Sequence, residues 1–397
     1  MVKDNVGYLH GSFTNILENK NMSWKNLSKE IGVCDSSISE WGSKGKELSA
    51  LSFAKIASKC MLDRVEDYEE CCKYLLYTYN REVLINVKKM FMIAYLNGYL
   101  SVQEYIVNMC MKHENSVIKK FGSLYKLFYQ RIKKIKSNTQ IYLELADLKK
   151  GVTKKHPDYA VLCDILSLAL LGDKGTFKVS NYHKERALHN LKEVKNSELK
   201  LLYEFSILEL SSYWLLRKDK YDDFKLINDK LRKYKHLECF PIMQATLDSR
   251  IGEVLIFDSY EKSLEILVTV WEVCEKYNCT FKAEVILNNI NFLKLYWNRD
   301  ISSIDYKTLH LAEKVFYWWR KGDVKKAQKY VKILEEQGEL SPIQLTYKGL
   351  VTEDLELIGL AIDEFKSNND FFFAKFATEM YGLLKVNRKL IKEGELV

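Results

Sequence analysis

Apolar side chains along this chain return at intervals of three and four residues. In YLHGSFTNILENKN (8–21), Leu9, Phe13, Ile16 and Leu17 fall at i, i+4, i+7 and i+8, one face of an α-helix. Ser23 is placed to cap the following WKNLSKEI, and Gly32 ends it because glycine tolerates the left-handed conformation that closes a helix. Asp35 or Ser36 is then positioned to cap SSISEW. After Gly42 and Gly45, LSALSFAKIASKCML carries Leu48, Leu51, Phe53, Ile56 and Ala57 into a fourth helix.

From about residue 65 the helices lengthen and the turns stay short. REVLINVKKMFMIAYLNGY (81–99) ends near Gly98, SVIKKFGSLYKLFYQRIKKI (116–135) follows, and a further helix starts just after Pro157. Segments 197–234, 241–278, 309–337 and 344–370 each read as helix, turn, helix. They recur at roughly the 34-residue tetratricopeptide period. The clearest unit is FYWWRKGDVKKAQKYVKIL, an aromatic helix, a Gly-Asp turn and a second helix with the small Ala327 facing inward. Stacked pairs of this kind form a superhelix whose concave face suits an extended peptide.

Composition agrees with an all-α fold. Only three prolines occur in 397 residues, and hydrophobic residues make up 47% of the chain, enough for a large core. The expected architecture is an N-terminal helix-turn-helix domain (1–62), a right-handed superhelix of degenerate tetratricopeptide-like repeats (63–380) and a C-terminal dimerisation segment (381–397). The formal charge of +8 permits contact with a polyanion. Nine cysteines show neither a disulfide framework nor paired zinc-ligand spacing, as in a protein kept reduced in the cytoplasm. MVKDNVGYLHGSF lacks the apolar core of a signal peptide, and stretches such as LSLALL (166–171) are too short to span a membrane.

The first unit fits DNA. A helix-turn-helix needs a glycine in its tight turn, apolar inner faces, and a second helix entering the major groove by its N-terminus. Leu27, Ile31, Val33, Ile38 and Trp41 supply the inner face, and Gly32 the turn. Ser36, Ser37, Ser39 and Glu40 then lie outward for base edges or phosphates, with Lys44 and Lys46 behind them and Lys25 and Lys29 on the first helix. Lac-type and lambda-repressor-type regulators share this arrangement. A single such unit discriminates weakly, so a homodimer on two-fold related double-stranded operator DNA is expected.

Catalytic signatures are missing: there is no glycine-rich phosphate loop, no H-E-x-x-H and no nucleophile elbow. An enzyme is not expected, nor is a cofactor or metal. His183 and His189 read as surface side chains, and RIKKIK (131–136) as a solvated helix face. In NNIN (288–291), Asn288 and Asn291 share a helix face at i, i+3, where paired amide donors and acceptors can clamp a peptide backbone.

The order of parts resembles peptide-sensing regulators, and most closely the arbitrium receptors of temperate phages (AimR type). DYEECCKYLL (67–76), KGDVKKAQKYV (321–331), YKG (347–349) and IDEFKSNNDFF (362–372) carry the resemblance by their order and spacing. It implies a homodimeric regulator in the host bacterial cytoplasm that activates transcription when peptide-free. A short secreted communication peptide containing arginine would switch it off and favour lysogeny. The family's aspartate for that arginine falls in Ser367-Asn368-Asn369-Asp370-Phe371-Phe372, giving the role to Asp370. Tyr213 and Ile242 stand where the family's pocket asparagine and arginine align. The family's C-terminal dimer stripe corresponds to Leu383, Leu384, Leu390 and Ile391. The rival expectation is a protein-binding adaptor whose repeats inhibit a partner and whose head is inactive.

Overall fold

Each of the three prolines opens a helix, where the missing N–H is one that no helical carbonyl would have bonded. The computed structural model describes residues 2–61, 65–78, 84–150, 156–234 and 239–392, with side chains for the same segments except 2–6, 78 and 387–392. All regular structure among these residues is helical. The head is α1 (Val2–Asn19), α2 (Trp24–Ile31), α3 (Asp35–Lys44) and α4 (Ala50–Met61). Next come α5 (Val65–Thr78), α6 (Leu84–Asn97), α7 (Leu100–Lys112), α8 (Ser116–Ile132), α9 (Asn138–Lys150), α10 (Pro157–Asp173) and α11 (Ser180–Lys192). The later helices are α12 (Ser197–Arg217) with α13 (Tyr221–Arg232), α14 (Pro241–Val254) with α15 (Tyr260–Lys276), and α16 (Thr280–Trp297). They end with α17 (Leu311–Arg320) and α18 (Val324–Gln337), α19 (Pro342–Val351) and α20 (Leu355–Ser367), and α21 (Phe371–Lys392).

Local chemistry sets these boundaries. Ser23 accepts from the Asn26 N–H at 3.2 Å, and Gly32 closes α2 at φ 63°. Asn196, Asp323 and Asp354 cap α12, α18 and α20, and Ser341 with Gln344 forms a capping box on α19. The α3 cap differs from the sequence expectation: Cys34 holds the cap position, Asp35 is already helical, and no side chain caps the N–H groups.

Packing unites what topology separates. One core runs from Leu9 and Trp41 of the head through Phe91, Tyr125 and Leu166 to Leu247 of α14. The apolar LSLALL run belongs to α10, which is buried on nearly every face. Polar contacts reinforce the docking: the Ala50 N–H donates to Asn86 at 3.1 Å, Asn86 donates to Glu47 at 2.7 Å, and Ser49 and Lys89 both reach Glu198, at 2.9 and 2.5 Å. The core of the head is thus continuous with that of the helices after it. A second core, rich in aromatic rings, joins α16 to α21, with Phe316 stacked on Tyr347 at 4.9 Å.

The C-terminal repeats curl back onto the middle of the chain. The Phe177 N–H donates to the Asn368 carbonyl at 3.0 Å, and Lys375 pairs with Asp219 at 2.7 Å. Together with α21 against α12, these contacts close the superhelix around a central cavity.

Candidate functional site

The cavity measures about 360 Å³ and is walled by α6, α8, α10, α12, α14, α15, α16 and the start of α21. Its polar groups come mostly as matched pairs. Arg131 ends α8 and grips Asp173 through two bonds of 2.7 Å each. Burial opposes its charge, but Asp173 more than offsets that and holds the guanidinium firmly protonated. Arg250 lies between Glu209, at 3.0 Å, and Glu253, at 3.1 Å, with the Tyr213 ring 4.3 Å from its guanidinium. Its Nε is buried without a hydrogen-bond partner among the described residues. Of RIKKIK, Lys133, Lys134 and Ile135 are exposed as expected, but they follow the end of α8, and Arg131 and Ile132 turn into the wall instead.

Asp370 lies behind the cavity wall, held by Arg217, which lines it together with Phe372 and Phe373. It is 2% exposed and accepts two bonds from Arg217, one at 3.0 Å from Nε and a second from Nη2. It also accepts from the Phe373 N–H at 3.3 Å, and the Phe373 ring lies 4.0 Å from the guanidinium. Burial disfavours the Arg217 charge, and Asp370 more than restores it. The role expected for Asp370 is to pair with a ligand arginine; here an arginine of the same chain, Arg217, occupies that carboxylate. Arg217 ends α12, far from Asp370 in sequence, and no local pattern announces the pair.

NNIN also needs correction. Asn288 is half-buried and Asn291 is buried with its Nδ2 unpartnered among the described residues, and neither lines the cavity. Asn289 does, donating to Glu253 at 2.9 Å. The cavity face of α16 runs through Lys282, Ile286 and Asn289, an i, i+4, i+7 stripe that was present in the sequence but lay one position off the chosen pair. Tyr213 lines the cavity, whereas Ile242 is buried in the core beside it.

In the head, Leu27, Ile31, Ile38 and Trp41 pack inward. Lys25, Lys29, Ser36, Ser37, Ser39, Lys44 and Lys46 are exposed. Glu40 is half-exposed and engaged within the chain, accepting from Lys46 at 2.9 Å and Lys44 at 3.4 Å. The Lys46 hydrogen bond, then its charge, lowers the carboxyl pKa. Glu40 therefore screens two lysines that the sequence placed as free phosphate contacts.

On α21 the dimer stripe divides. Leu384 is 5% exposed and packs in the C-terminal core of its own chain, so it does not face outward as expected. Leu383 and Val386 are exposed, at i and i+3. The side chains of Leu390 and Ile391 lie outside the described residues. His183 is also corrected from surface to interior, its Nδ1 3.0 Å from Asp164, which Arg186 grips as well. Among the described residues no group of three His, Cys, Asp or Glu could hold a metal, and no helix is long and apolar enough to cross a membrane.

Residues 67–380 match the family described as AimR transcriptional regulator-like. A protein of Bacillus anthracis described as uncharacterized is 29% identical over 260 residues, covering 63% of this chain and 94% of its own. The structure of phAimR with ligand superposes with a TM-score of 0.69 at 14% identity, covering 80% of this chain and 92% of that one. Selenomethionine phAimR gives 0.62 at 14% identity over 95% and 99% of the two chains. At that identity the solved structures share the fold, and the family match over most of the chain does the rest: this protein belongs to the AimR transcriptional regulator-like family.

Proposed function

We propose that this protein is a peptide-responsive, DNA-binding transcriptional regulator that works as a homodimer in a phage lysis–lysogeny decision. In this reading the peptide-free dimer binds operator DNA through α2 and α3 and activates transcription. A short secreted peptide, taken into the central cavity, switches it off. The exposed faces of Leu383 and Val386 would contribute to the dimer contact.

One observation carries the reading: the helices that wall the cavity are the helices that hold the head. Helix α12 carries Glu198, bonded to Ser49 of the head, in its first turn and ends at Arg217 on the cavity wall. That is a rigid lever of roughly 28 Å at 1.5 Å per residue. Helix α6 likewise offers Asn86 to Glu47 and Ala50 of the head, Lys89 to the Glu198 that Ser49 of the head also reaches, and Tyr95 and Leu96 to the cavity. A ligand that moves the ends of α12 or α6 therefore moves the head, and two heads must match fixed half-site spacing. A coupling of about 1–3 kcal/mol, typical of such linkage, changes operator affinity fivefold or more.

The test is fluorescence anisotropy of the full chain with intergenic fragments flanking its own gene, with and without peptides encoded by the adjoining reading frame. Salt-sensitive binding that peptide weakens is expected. No salt-sensitive binding to any fragment would overturn the DNA reading. Binding that no peptide alters would overturn the sensing reading and favour the adaptor.

A further inference from the structure

The inner faces of α14 and α16 form a ladder on one wall of the cavity. Lys282 and Thr246 make one rung, with the ammonium donating to the threonine hydroxyl. Asn289 and Glu253 make the other, at 2.9 Å. Each upper residue lies seven positions beyond its lower partner on the same helix, so the rungs are roughly 10 Å apart.

The charges along this wall are not evenly matched. Arg131, Arg217 and Arg250 each hold a carboxylate. Among the described residues Lys282 has none: its ammonium rests on the Leu96 carbonyl at 3.2 Å and on Thr246. Both are neutral acceptors, and an ammonium has three protons to donate. The Thr246 hydroxyl donates to the Ile242 carbonyl at 2.7 Å, which leaves its oxygen to accept from the ammonium. Lys282 also stands in the first turn of α16, where Cys279 gives no side-chain cap and no acidic residue is present. The N-terminal end of that helix adds positive potential at the same spot. Thr280 and Phe281 of this turn line the cavity too.

Resting on the peptide reading above, we infer that Lys282 binds the free C-terminal carboxylate of the peptide. The peptide then runs from the start of α16 toward the second rung. An extended chain advances about 3.3 Å per residue, so the third or fourth residue from its end meets Glu253 and Asn289. The site thus takes a peptide that ends there in a free carboxylate and rejects the same sequence continued past that residue. The competing role for Lys282 is structural, as a cap on the last turn of α6 through Leu96.

The experiment uses a positional-scanning library of hexapeptides, each with one arginine, made in parallel as free acids and C-terminal amides. Binding to the full chain is measured by calorimetry, for wild type and for Lys282→Met, which keeps the aliphatic stem. Losing one charge-assisted hydrogen bond corresponds to roughly tenfold to a hundredfold in affinity. The expected result is that amidation weakens wild-type binding by that factor, and that Lys282→Met binds acids and amides alike at the weaker level. Acids and amides binding wild type equally would overturn the inference and leave the peptide reading standing. Amidation weakening Lys282→Met as much as wild type would place the carboxylate elsewhere and overturn it as well. If no pool binds wild type in either form, the peptide reading falls and takes the inference with it. The wild-type comparison of acids and amides decides the question even if the variant is unstable.

Discussion

Removing one member of the Arg217–Asp370 pair should loosen the C-terminal helix from the middle of the chain. Asp370 accepts two bonds from Arg217 and one from the Phe373 N–H, in a setting only 2% exposed. Asp370→Asn keeps the cap acceptor but deprives the buried guanidinium of its counter-charge, leaving it against the Phe373 ring. Arg217→Met leaves the carboxylate buried with the Phe373 N–H alone. Breaking a buried pair from either side costs about 3–5 kcal/mol, mostly the desolvation of the charge left behind. The double variant leaves no charge stranded, so it should lie within about 2 kcal/mol of wild type. Because the pair joins α21 to α12, the loss should be local and visible as hydrogen exchange at residues 371–386. Each single variant should speed that exchange more than a hundredfold, and the double variant far less than the product of the two. Additive effects in the double variant, or single effects under about 0.5 kcal/mol, would refute the latch.

Three further outcomes follow from the geometry. Gly98→Ala should destabilise by about 1–3 kcal/mol, since φ is 74° there and a Cβ would strike the Cys279 sulfur; urea unfolding of the variant checks this, and Cys279→Ala should recover only the clash. Glu40→Gln should free Lys44 and Lys46, raising affinity for DNA in anisotropy titrations and steepening its salt dependence. Leu383→Asp with Val386→Asp should give monomers by light scattering with little loss of fold, whereas Leu384→Ala should cost about 2–5 kcal/mol in chemical unfolding through a core cavity.

Much of this protein follows from local rules. The helical periodicity, the Pro157 start and the Ser23 and Gly32 boundaries of α2, with the inward Ala327, all depend on interactions within a few residues. Such interactions can be read along a chain, and so can the buried face of α2 and α3, because Leu27, Ile31, Ile38 and Trp41 follow a spacing rule.

Only the tertiary structure decided which polar groups meet. Arg217 finds Asp370, Arg131 finds Asp173, Ser49 finds Glu198 and Asn289 finds Glu253, across 153, 42, 149 and 36 positions respectively. Their pairing depends on how the superhelix closes, and polar residues on a helix surface carry no mark of which turn will lie opposite. The same reason moved the pocket asparagine by one place on α16, sent Leu384 inward, and set Arg217 against Asp370. Periodicity determined the helices of this protein and their buried stripes; the curvature of the assembled array determined which of the remaining side chains face each other across the cavity.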